Sequence, residues 1–427
     1  MISASAVTGL ARRIGLFDAT MVVMNGIVGS GIFVTPALVA RSTSGSAEMV
    51  LAWVAGGVAA LLGAFVYAGL SRERPLAGGQ YVYLREAFHP LLGFLYGWAL
   101  LVVIQTGGMA VCAMTFARYL RQLAGLSLPE SALAALAMAV LTGINCLGVT
   151  SGARVQSGLM LLKIAALLAL IGCGLFGEAA LLPESGTPGE GFFAALIPVL
   201  FSYGGFQTAC FVAGEMKDPR RDLPRALVAG VACVIALYVG VAVACDRVLG
   251  KAVLEESAAP AMDVASRVLG ARGATLVAAG VAISSLGFLS QSILTAPRVY
   301  FKMAEDGAFV RAVAWVHPRT RVPVTAIVLQ GAIAASLALL GTYEVLLRYV
   351  VSIDFIFFAL TAASLFVFQG RGERPKVPGH PASTLVFIAI CAAVVLATFR
   401  RDPLHGLAGL ALTFLGIPVY LLWRRSE

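Results

Sequence analysis

Residues 24–36, MNGIVGSGIFVTP, decide how the chain is to be interpreted. They lie inside an apolar run long enough to cross a membrane, yet they include three glycines, a serine and a proline. Gly and Pro free backbone N–H and C=O groups at membrane depth, where such groups are tolerated only beside a cavity, other protein groups or a ligand. The stretch therefore predicts a broken membrane helix that contributes to a binding site.

The composition of the whole chain is typical of an integral membrane protein. Of 427 residues, 59% are hydrophobic and 12% charged, whereas a soluble protein carries about twice that charged fraction. The net charge of +9 does not indicate nucleic acid, because basic residues of membrane proteins collect in cytoplasmic loops. The scattered cysteines form no CxxC pair and the histidines fall in separate loops. We therefore expect no metal site, cofactor or nucleic-acid partner.

Apolar runs of roughly 20 residues can each cross the bilayer as a helix. Twelve such runs predict an all-α integral membrane protein with twelve transmembrane helices, at residues 16–40, 48–71, 91–117, 131–150, 157–177, 192–215, 226–248, 273–301, 323–341, 345–369, 382–399 and 404–423. The chain is then one transmembrane domain, 1–427, with helices 1–5 in residues 1–177, helices 6–10 in 192–370 and helices 11–12 in 382–424. The first apolar run is full length, so we expect it to be retained rather than cleaved as a signal peptide.

The distribution of basic residues predicts the orientation. With the N-terminus inside, the cytoplasmic segments contain 20 Lys and Arg and the outer segments 10. Since Lys and Arg favour the cytoplasmic side, we expect a multi-pass protein of the cytoplasmic (inner) membrane with both termini in the cytoplasm.

A second interruption is predicted in helix 6, where FSYGGF at residues 201–206 follows Pro198. Helices 1 and 6 open the two five-helix sets, and interrupted segments at corresponding positions indicate a transporter built from inverted repeats. The N-terminal ends of half-helices suit a carboxylate, and free carbonyls suit an ammonium group. Such a site fits an α-amino acid. The alternative is that these glycines only allow close helix packing; matching breaks in both halves argue against it.

Four motifs resemble those of the amino acid–polyamine–organocation permease superfamily, most closely its L-type amino acid transporter-like branch. They are GSGIFVTP (29–36), LAGGQYVYLREAF (76–88), FSYGGF with GEMKDPRRDLPRA (201–206 and 214–226), and TAPRVYFKMAEDG (295–307). The resemblance implies a five-plus-five inverted repeat of helices 1–5 and 6–10, with helices 11–12 added. Substrate would lie between unwound parts of helices 1 and 6.

The resemblance also implies roles for individual residues. Backbone N–H groups of residues 29–31 would bind the substrate carboxylate, and carbonyls before Gly29 and near residues 201–203 would bind its ammonium. Phe201 would close over the substrate from outside, and Gln207 would face its side chain. Gln105 of helix 3 is a further lining candidate, although polar residues at helix contacts are ordinary. The predicted substrate-binding set is Ile27, Gly29, Ser30, Gly31, Gln105, Phe201, Ser202, Tyr203, Gly204 and Gln207.

Lys163 is a charged residue inside predicted helix 5. An ionisable group there costs about 2.5–3.5 kcal/mol on insertion scales and is a functional candidate; the alternative is that its long side chain reaches the nearby cytoplasmic interface. The resemblance implies that it replaces a sodium ion and bonds helix 1 carbonyls and helix 8 hydroxyls, Ser284 or Ser285. Transport would then be sodium-independent, as proton symport if Lys163 loses its proton or as exchange if it stays charged.

Three residues are predicted to act at the gates: Phe201, Glu215 and Asp354. Asp354 in helix 10 could pair with Arg348, tune the outer gate or carry protons, and a structural or water-facing role is the stronger interpretation. The chain also departs from its relatives, with glycine at 69 and 214 where they often carry acids.

The main functional hypothesis is a sodium-independent secondary transporter of amino acids. A polyamine or organic-cation antiporter is the alternative, but no acid lies near either break in the sequence, which favours neutral amino acids. A transporter-derived amino-acid sensor is a second alternative. A membrane enzyme would need a catalytic cluster at membrane depth, and none is found. Residues 118–130 contain no cysteine, so no disulfide-linked heavy chain is expected. The expected partners are an amino acid, the lipid bilayer and, for symport, a proton.

Overall fold

The computed structural model describes residues 10–178, 191–340 and 343–425, with the backbone alone for 343–351 and 424–425. Within these ranges the chain is helical and has no β-strand; an isolated bridge joins Ile14 to Met216. The α-helices are α1 Leu16–Ile27, α2 Thr35–Ser42, α3 Ser46–Glu73, α4 Gln80–Ala87, α5 Pro90–Ala99, α6 Gln105–Ala124, α7 Glu130–Cys146, α8 Val149–Phe176, α9 Phe192–Ser202, α10 Pro219–Leu249, α11 Lys251–Glu256, α12 Pro260–Leu269, α13 Ala271–Thr295, α14 Pro297–Glu305, α15 Val324–Leu340, α16 Tyr343–Gly370, α17 Ala382–Arg401, α18 Pro403–Phe414 and α19 Gly416–Arg425. Three short segments are 3₁₀ helix, Gly31–Phe33, Phe206–Glu215 and Arg311–Ala314, and Leu100–Ile104 is a π-helical segment between α5 and α6.

The predicted apolar runs all fall on helix. In the described ranges, nine helical runs are long and apolar enough to cross a membrane. Three further apolar helices are shorter: Leu16–Ile27, Glu130–Cys146 and Val324–Leu340. The chain is thus a multi-pass membrane protein, while the count of twelve spans stays a prediction.

Two long helices, α3 and α10, pack against each other at the centre of the bundle. Small residues allow this contact: a Cβ added at Gly57 of α3 would lie 2.8 Å from Cγ1 of Ile235 in α10. Trp53, Tyr203 and Tyr238 join α3, the end of α9 and α10, with ring centroids 5.1–6.0 Å apart. This aromatic cluster positions the second interruption against the two central helices.

The helix predicted at 16–40 is interrupted after α1. Val28 has an extended backbone, and a 3₁₀ turn at Gly31–Phe33 leads into α2. Pro36 is the second residue of α2, where its missing N–H and fixed φ favour a helix start. The backbone hydrogen bonds described for the N–H groups of residues 29–34 are therefore not regular α-helical ones.

The helix predicted at 192–215 is interrupted after α9. Gly205 has a φ of +99°, a conformation that L residues rarely adopt. It also lies against the first interruption, since a Cβ added at Gly26 would be 2.6 Å from the Gly205 carbonyl oxygen. The two interrupted segments thus approach each other closely, through glycines on both sides.

We expect Gly205→Ala to destabilise the protein, because the substitution combines a strained φ with a collision against the backbone of Gly26. A cost of about 2–4 kcal/mol follows and should lower the melting temperature of the detergent-purified protein by several degrees. Gly143→Ala on α7 is the matched control, since a Cβ there meets nothing within 4 Å. Equal melting temperatures for the two variants would contradict the predicted close approach.

Candidate functional site

Three consecutive carbonyls at the first interruption each accept a hydrogen bond from a different helix. The Tyr238 hydroxyl of α10 donates to the Ile27 carbonyl at 3.1 Å. The Lys163 ammonium of α8 donates to the Val28 carbonyl, and the Ser284 hydroxyl of α13 to the Gly29 carbonyl at 2.9 Å. Carbonyls at the end of a helix have no partner within it and form its negative end. These side chains therefore satisfy the polar groups that the break exposes.

Lys163 is buried, with 1% of its surface exposed. Its ammonium also donates to the side-chain oxygen of Asn25, and Asn25 in turn donates to the Gln156 carbonyl at 3.2 Å. The helix was predicted to start at residue 157, but α8 begins at Val149, so Lys163 lies about four turns into it. Polar residues in the first turns of α8 hid this earlier start in the sequence. The buried contacts argue against a side chain that reaches the interface.

The two serines proposed to hold the ammonium have other surroundings. Ser284 bonds the Gly29 carbonyl rather than Lys163, and the Ser285 hydroxyl is buried without a hydrogen-bond partner among the described residues. Asn25 supplies the side-chain oxygen instead. The predicted contact of Lys163 with a helix 1 carbonyl is present, and the predicted serine contact is replaced.

A glycine in α13 makes room for the lysine. A Cβ added at Gly287 would lie 2.6 Å from Cε of Lys163 and 2.8 Å from the side-chain oxygen of Asn25. The backbone of α13 therefore packs directly over the ammonium and its partner.

Polar contacts also join the two interruptions. The Ser202 hydroxyl at the end of α9 donates to the Thr35 hydroxyl at 3.1 Å, and Thr35 donates to the Gly31 carbonyl at 2.9 Å. The Thr208 hydroxyl donates to the Gly205 carbonyl at 2.7 Å and accepts from Gln291 of α13 at 2.6 Å. The Thr35 and Thr208 side chains thus bond the backbone at the two breaks, and Gln291 of α13 holds Thr208.

A cavity of about 290 Å³ lies between the two interrupted segments, α6 and α16. Its lining contains Ile27, Gly29, Ser30, Gly31, Gln105, Phe201, Ser202, Gly204 and Gln207, all from the predicted substrate-binding set. Tyr203 is the exception: it is buried, and its hydroxyl donates to the Trp53 carbonyl at 3.2 Å. The structure brings the other nine together, and their role in binding substrate stays a prediction.

The hydrogen bonds around the cavity show which polar groups are already used. The Gly29 N–H donates to the Ile27 carbonyl at 3.0 Å. The Gln105 amide, which follows the π-helical segment, donates to Ser292 of α13 at 2.6 Å. The side-chain oxygen of Gln207 is buried and has no partner among the described residues. Gln207 therefore keeps an acceptor for a ligand, whereas the Gly29 N–H is occupied.

The proposed gate residues lie in different environments. Glu215 forms a two-pronged ion pair with Arg298 of α14, at 2.9 and 3.0 Å, and both side chains are 0% exposed. Phe201 lines the cavity and keeps 43% of its surface exposed. Asp354 also lines the cavity, while the side chain of Arg348, its suggested partner, is outside the described part.

The position of Asp354 corrects one expectation. No acid is close to either break in the sequence, yet α16 brings Asp354 into the same cavity through tertiary packing. The absence of an acid therefore no longer favours a neutral substrate.

The two glycines that replace acids in relatives lie in tight places. A Cβ at Gly214 would be 3.0 Å from Cβ of Ala77, and one at Gly69 would collide with Val377. As packed here, neither position has room for a carboxylate side chain.

Sequence reasoning missed Thr35, Thr208 and Tyr238, which bond the interrupted backbone. It also missed Asn25, which bonds the Lys163 ammonium. The sequence does contain a signal for Asn25, because a polar amide within an apolar helix, one turn before the break, is a candidate for a functional role. Tyr238 and Thr208 gave no local signal, because ordinary membrane helices also contain such residues.

A helical membrane bundle with a central cavity between two interrupted segments is typical of a membrane transport protein. The chain belongs to the amino acid permease family, whose model matches residues 14–416. Within it, the relatives support the L-type-like branch of the amino acid–polyamine–organocation superfamily. The motifs at residues 29–36 and 201–206 therefore indicated the family correctly.

Three relatives illustrate this similarity. The chain is 30% identical over 433 residues to the large neutral amino acids transporter small subunit 2 of Homo sapiens, covering 97% of this chain and 80% of the relative. It is 29% identical over 426 residues to the serine/threonine exchanger SteT of Bacillus subtilis (strain 168), covering 96% and 97%. It is 28% identical over 445 residues to the Asc-type amino acid transporter 1 of Homo sapiens, covering 99% and 84%.

We expect Gly287→Ala to displace the Lys163 ammonium from Val28 and Asn25, because the added methyl group would overlap Cε of the lysine. The loss of buried charged hydrogen bonds, about 1.5–3 kcal/mol each, should lower the melting temperature of the purified protein. Gly158→Ala on α8 is the control, as a Cβ there meets nothing within 4 Å. If Gly287→Ala melts like the control, the packing around Lys163 is not as described.

We expect Arg298→Met to be strongly destabilising, since it leaves the Glu215 carboxylate buried without its cation. Breaking such a pair costs about 3–5 kcal/mol. The double variant Glu215→Gln/Arg298→Met should recover part of that loss, because the uncompensated charge is removed. Thermal unfolding of the unmodified protein and the two variants measures this, and a double variant no more stable than Arg298→Met would refute the explanation.

Proposed function

We propose that the chain is a sodium-independent secondary transporter of amino acids in the cytoplasmic membrane, with both termini in the cytoplasm. Its twelve transmembrane helices would form a five-plus-five inverted repeat followed by two further helices. The substrate would lie in the cavity between the interrupted segments. The observation that carries this proposal is the ammonium of Lys163 on the carbonyl that the first break exposes.

The packing of the helices supports the repeat. Suppose that one repeat runs from α1 to α8 and the other from α9 to α16. Helix–helix contacts between the repeats should then occur in matching pairs, in which each helix is replaced by its counterpart in the other repeat. The first helix packs on α10 as α9 packs on α3, and α8 packs on α10 as α16 packs on α3. In the same way α7 packs on α13 and α15 on α6. Because each repeat would contain five spans, an odd number, the second would enter the membrane from the opposite side.

The arrangement at Lys163 supports independence from sodium. A cation at this depth needs oxygen ligands, and the Val28 carbonyl and the Asn25 side-chain oxygen already hold a buried ammonium. A sodium ion at the same oxygens would compete with this charge and be repelled by it. Lys163 would stabilise the broken backbone as the cation does in sodium-coupled relatives of the fold.

The substrate carboxylate is proposed to bind N–H groups of Ser30 and Gly31, at the N-terminal end of the 3₁₀ turn that precedes α2. The ammonium is proposed to bind the carbonyls of Ser202 and Tyr203 at the end of α9, because those of residues 27–29 and of Phe201 already have donors. Phe201, exposed at the cavity, would cover the bound substrate. Gln207 would contribute its unpartnered amide oxygen.

Two coupling modes follow from the same geometry. If Lys163 releases a proton when the first segment moves, the protein is a proton symporter. If Lys163 stays charged, occupancy of the site controls the movement and the protein is an exchanger. The printed name of one relative, a serine/threonine exchanger, favours exchange.

Reconstitution into liposomes tests the proposal. Purified protein, without a heavy chain, should take up a radiolabelled amino acid equally in sodium and choline buffers. The amino acid is first chosen by a thermal-shift screen of the twenty, since a ligand at 100 times its Kd adds about 2.7 kcal/mol. Stimulation by internal amino acid identifies exchange, and stimulation by an inward proton gradient identifies symport.

We expect Lys163→Met to reduce uptake at least tenfold, because the methionine keeps an apolar stem but leaves the Val28 carbonyl without its ammonium. Lys376→Met, at an exposed lysine between α16 and α17, is the matched control and should transport like the unmodified protein. Sodium-dependent uptake, or full uptake by Lys163→Met, would disprove the proposed role of the lysine.

A further inference from the structure

The carboxyl group of Asp354 lines the central cavity. Its Oδ1 atom is buried and accepts no hydrogen bond from the described residues. Among the described residues that line the cavity there is no lysine or arginine, and the ammonium of Lys163 is engaged by Val28 and Asn25. The cavity therefore presents a carboxyl oxygen that the described part of the chain leaves unsatisfied.

The apolar surroundings of Asp354 make an unsatisfied carboxyl group energetically unfavourable when the site is empty. Phe355 and Phe358 line the cavity beside it, and Phe358 packs on Phe206 with ring centroids 5.8 Å apart. A carboxyl group in an apolar wall loses hydration that a hydrogen-bond donor can replace. A ligand that brings such a donor thus gains more here than one that brings a methyl group.

Asp354 lies on a different helix from the proposed subsites for the substrate's own carboxylate and ammonium, which belong to the two interruptions. Its helix α16 reaches the second interruption through Phe358 and Phe206, and it also packs on α6 and on the π-helical segment that precedes Gln105. Local π-helical segments frequently occur at functional sites. The wall formed by α6 and α16 is then available to the side chain of the substrate.

We propose that Asp354 is a specificity-determining residue that accepts a hydrogen bond from the substrate's side chain. The site would prefer amino acids whose side chain carries a hydroxyl or ammonium group over isosteric ones that lack the donor. This inference rests on the proposed function, because it assumes that an amino acid occupies the cavity. It adds the chemical class of the side chain.

Two isosteric pairs test the preference: threonine against valine, and lysine against norleucine. Affinities are measured by calorimetry on the purified full chain. The unmodified protein should bind the donor-bearing member of each pair at least tenfold more tightly. Asp354→Leu should abolish both preferences, and Asp354→Asn should abolish the preference for lysine while keeping part of that for threonine, because its amide oxygen still accepts. Undiminished binding of valine and norleucine shows that the variants are folded.

Arg348→Gln is the matched control, since Arg348 lies six positions before Asp354 on the same helix. It should leave both preferences unchanged, and a change as large as that in Asp354→Leu would overturn the inference by making Asp354 the partner of Arg348. Equal affinities within each pair, or preferences that survive in Asp354→Leu, would also overturn it while leaving amino-acid transport intact. Failure of all twenty amino acids to bind the unmodified protein would instead refute the proposed function and this inference together.

Discussion

The bond between the Lys163 ammonium and the Val28 carbonyl is the contact on which the centre of this membrane protein depends. A helix that ends at Ile27 in the interior of the bundle leaves carbonyls that water would satisfy at a protein surface. Hydrocarbon offers no substitute, so the chain must supply the donors. A buried cation is the strongest of these, since hydrogen bonds from charged groups exceed neutral ones. The lysine and the broken helix therefore stabilise each other. A buried ammonium without acceptors, or exposed carbonyls without donors, would be unfavourable in this environment.

The same bond links the break to the helices that surround it. Lys163, Tyr238 and Ser284 belong to α8, α10 and α13, and each donates to one carbonyl in a run of three residues. A rotation of the first interrupted segment would change all three contacts together. Binding energy at the cavity can thus reach three helices without a long chain of intermediates, provided that the segment has two arrangements. The Ser202–Thr35–Gly31 contacts would carry the same movement to α9.

The sequence predicted the helical class and the positions of both breaks because these depend on local composition. Apolar length, Gly205 and Pro36 are visible without knowing what lies nearby in space. Lys163 was recognisable because a charge inside an apolar run is rare. Its partner Asn25 was not identified, although it stands in the most conspicuous stretch of the chain, because the sequence does not say which face of α1 meets α8. Tyr203 was assigned to the cavity for a similar reason, and its side chain instead packs on Trp53 and Tyr238.

Two charges near the cavity come from distant parts of the sequence and would have different roles. Lys163 is close to the first break but its ammonium is covered by Asn25 and Val28, so its charge acts on the backbone. Asp354 is almost two hundred positions further along and its carboxyl lines the cavity. A zwitterionic amino acid would balance its own two charges at the interruptions, where backbone groups are nearly the same for every substrate. Discrimination would then depend on the side chains that line the cavity, where Asp354 and Gln207 each have an oxygen without a partner among the described residues. In this way the backbone at the interruptions would recognise the groups common to all amino acids. A few side chains remote in sequence would determine which amino acid binds.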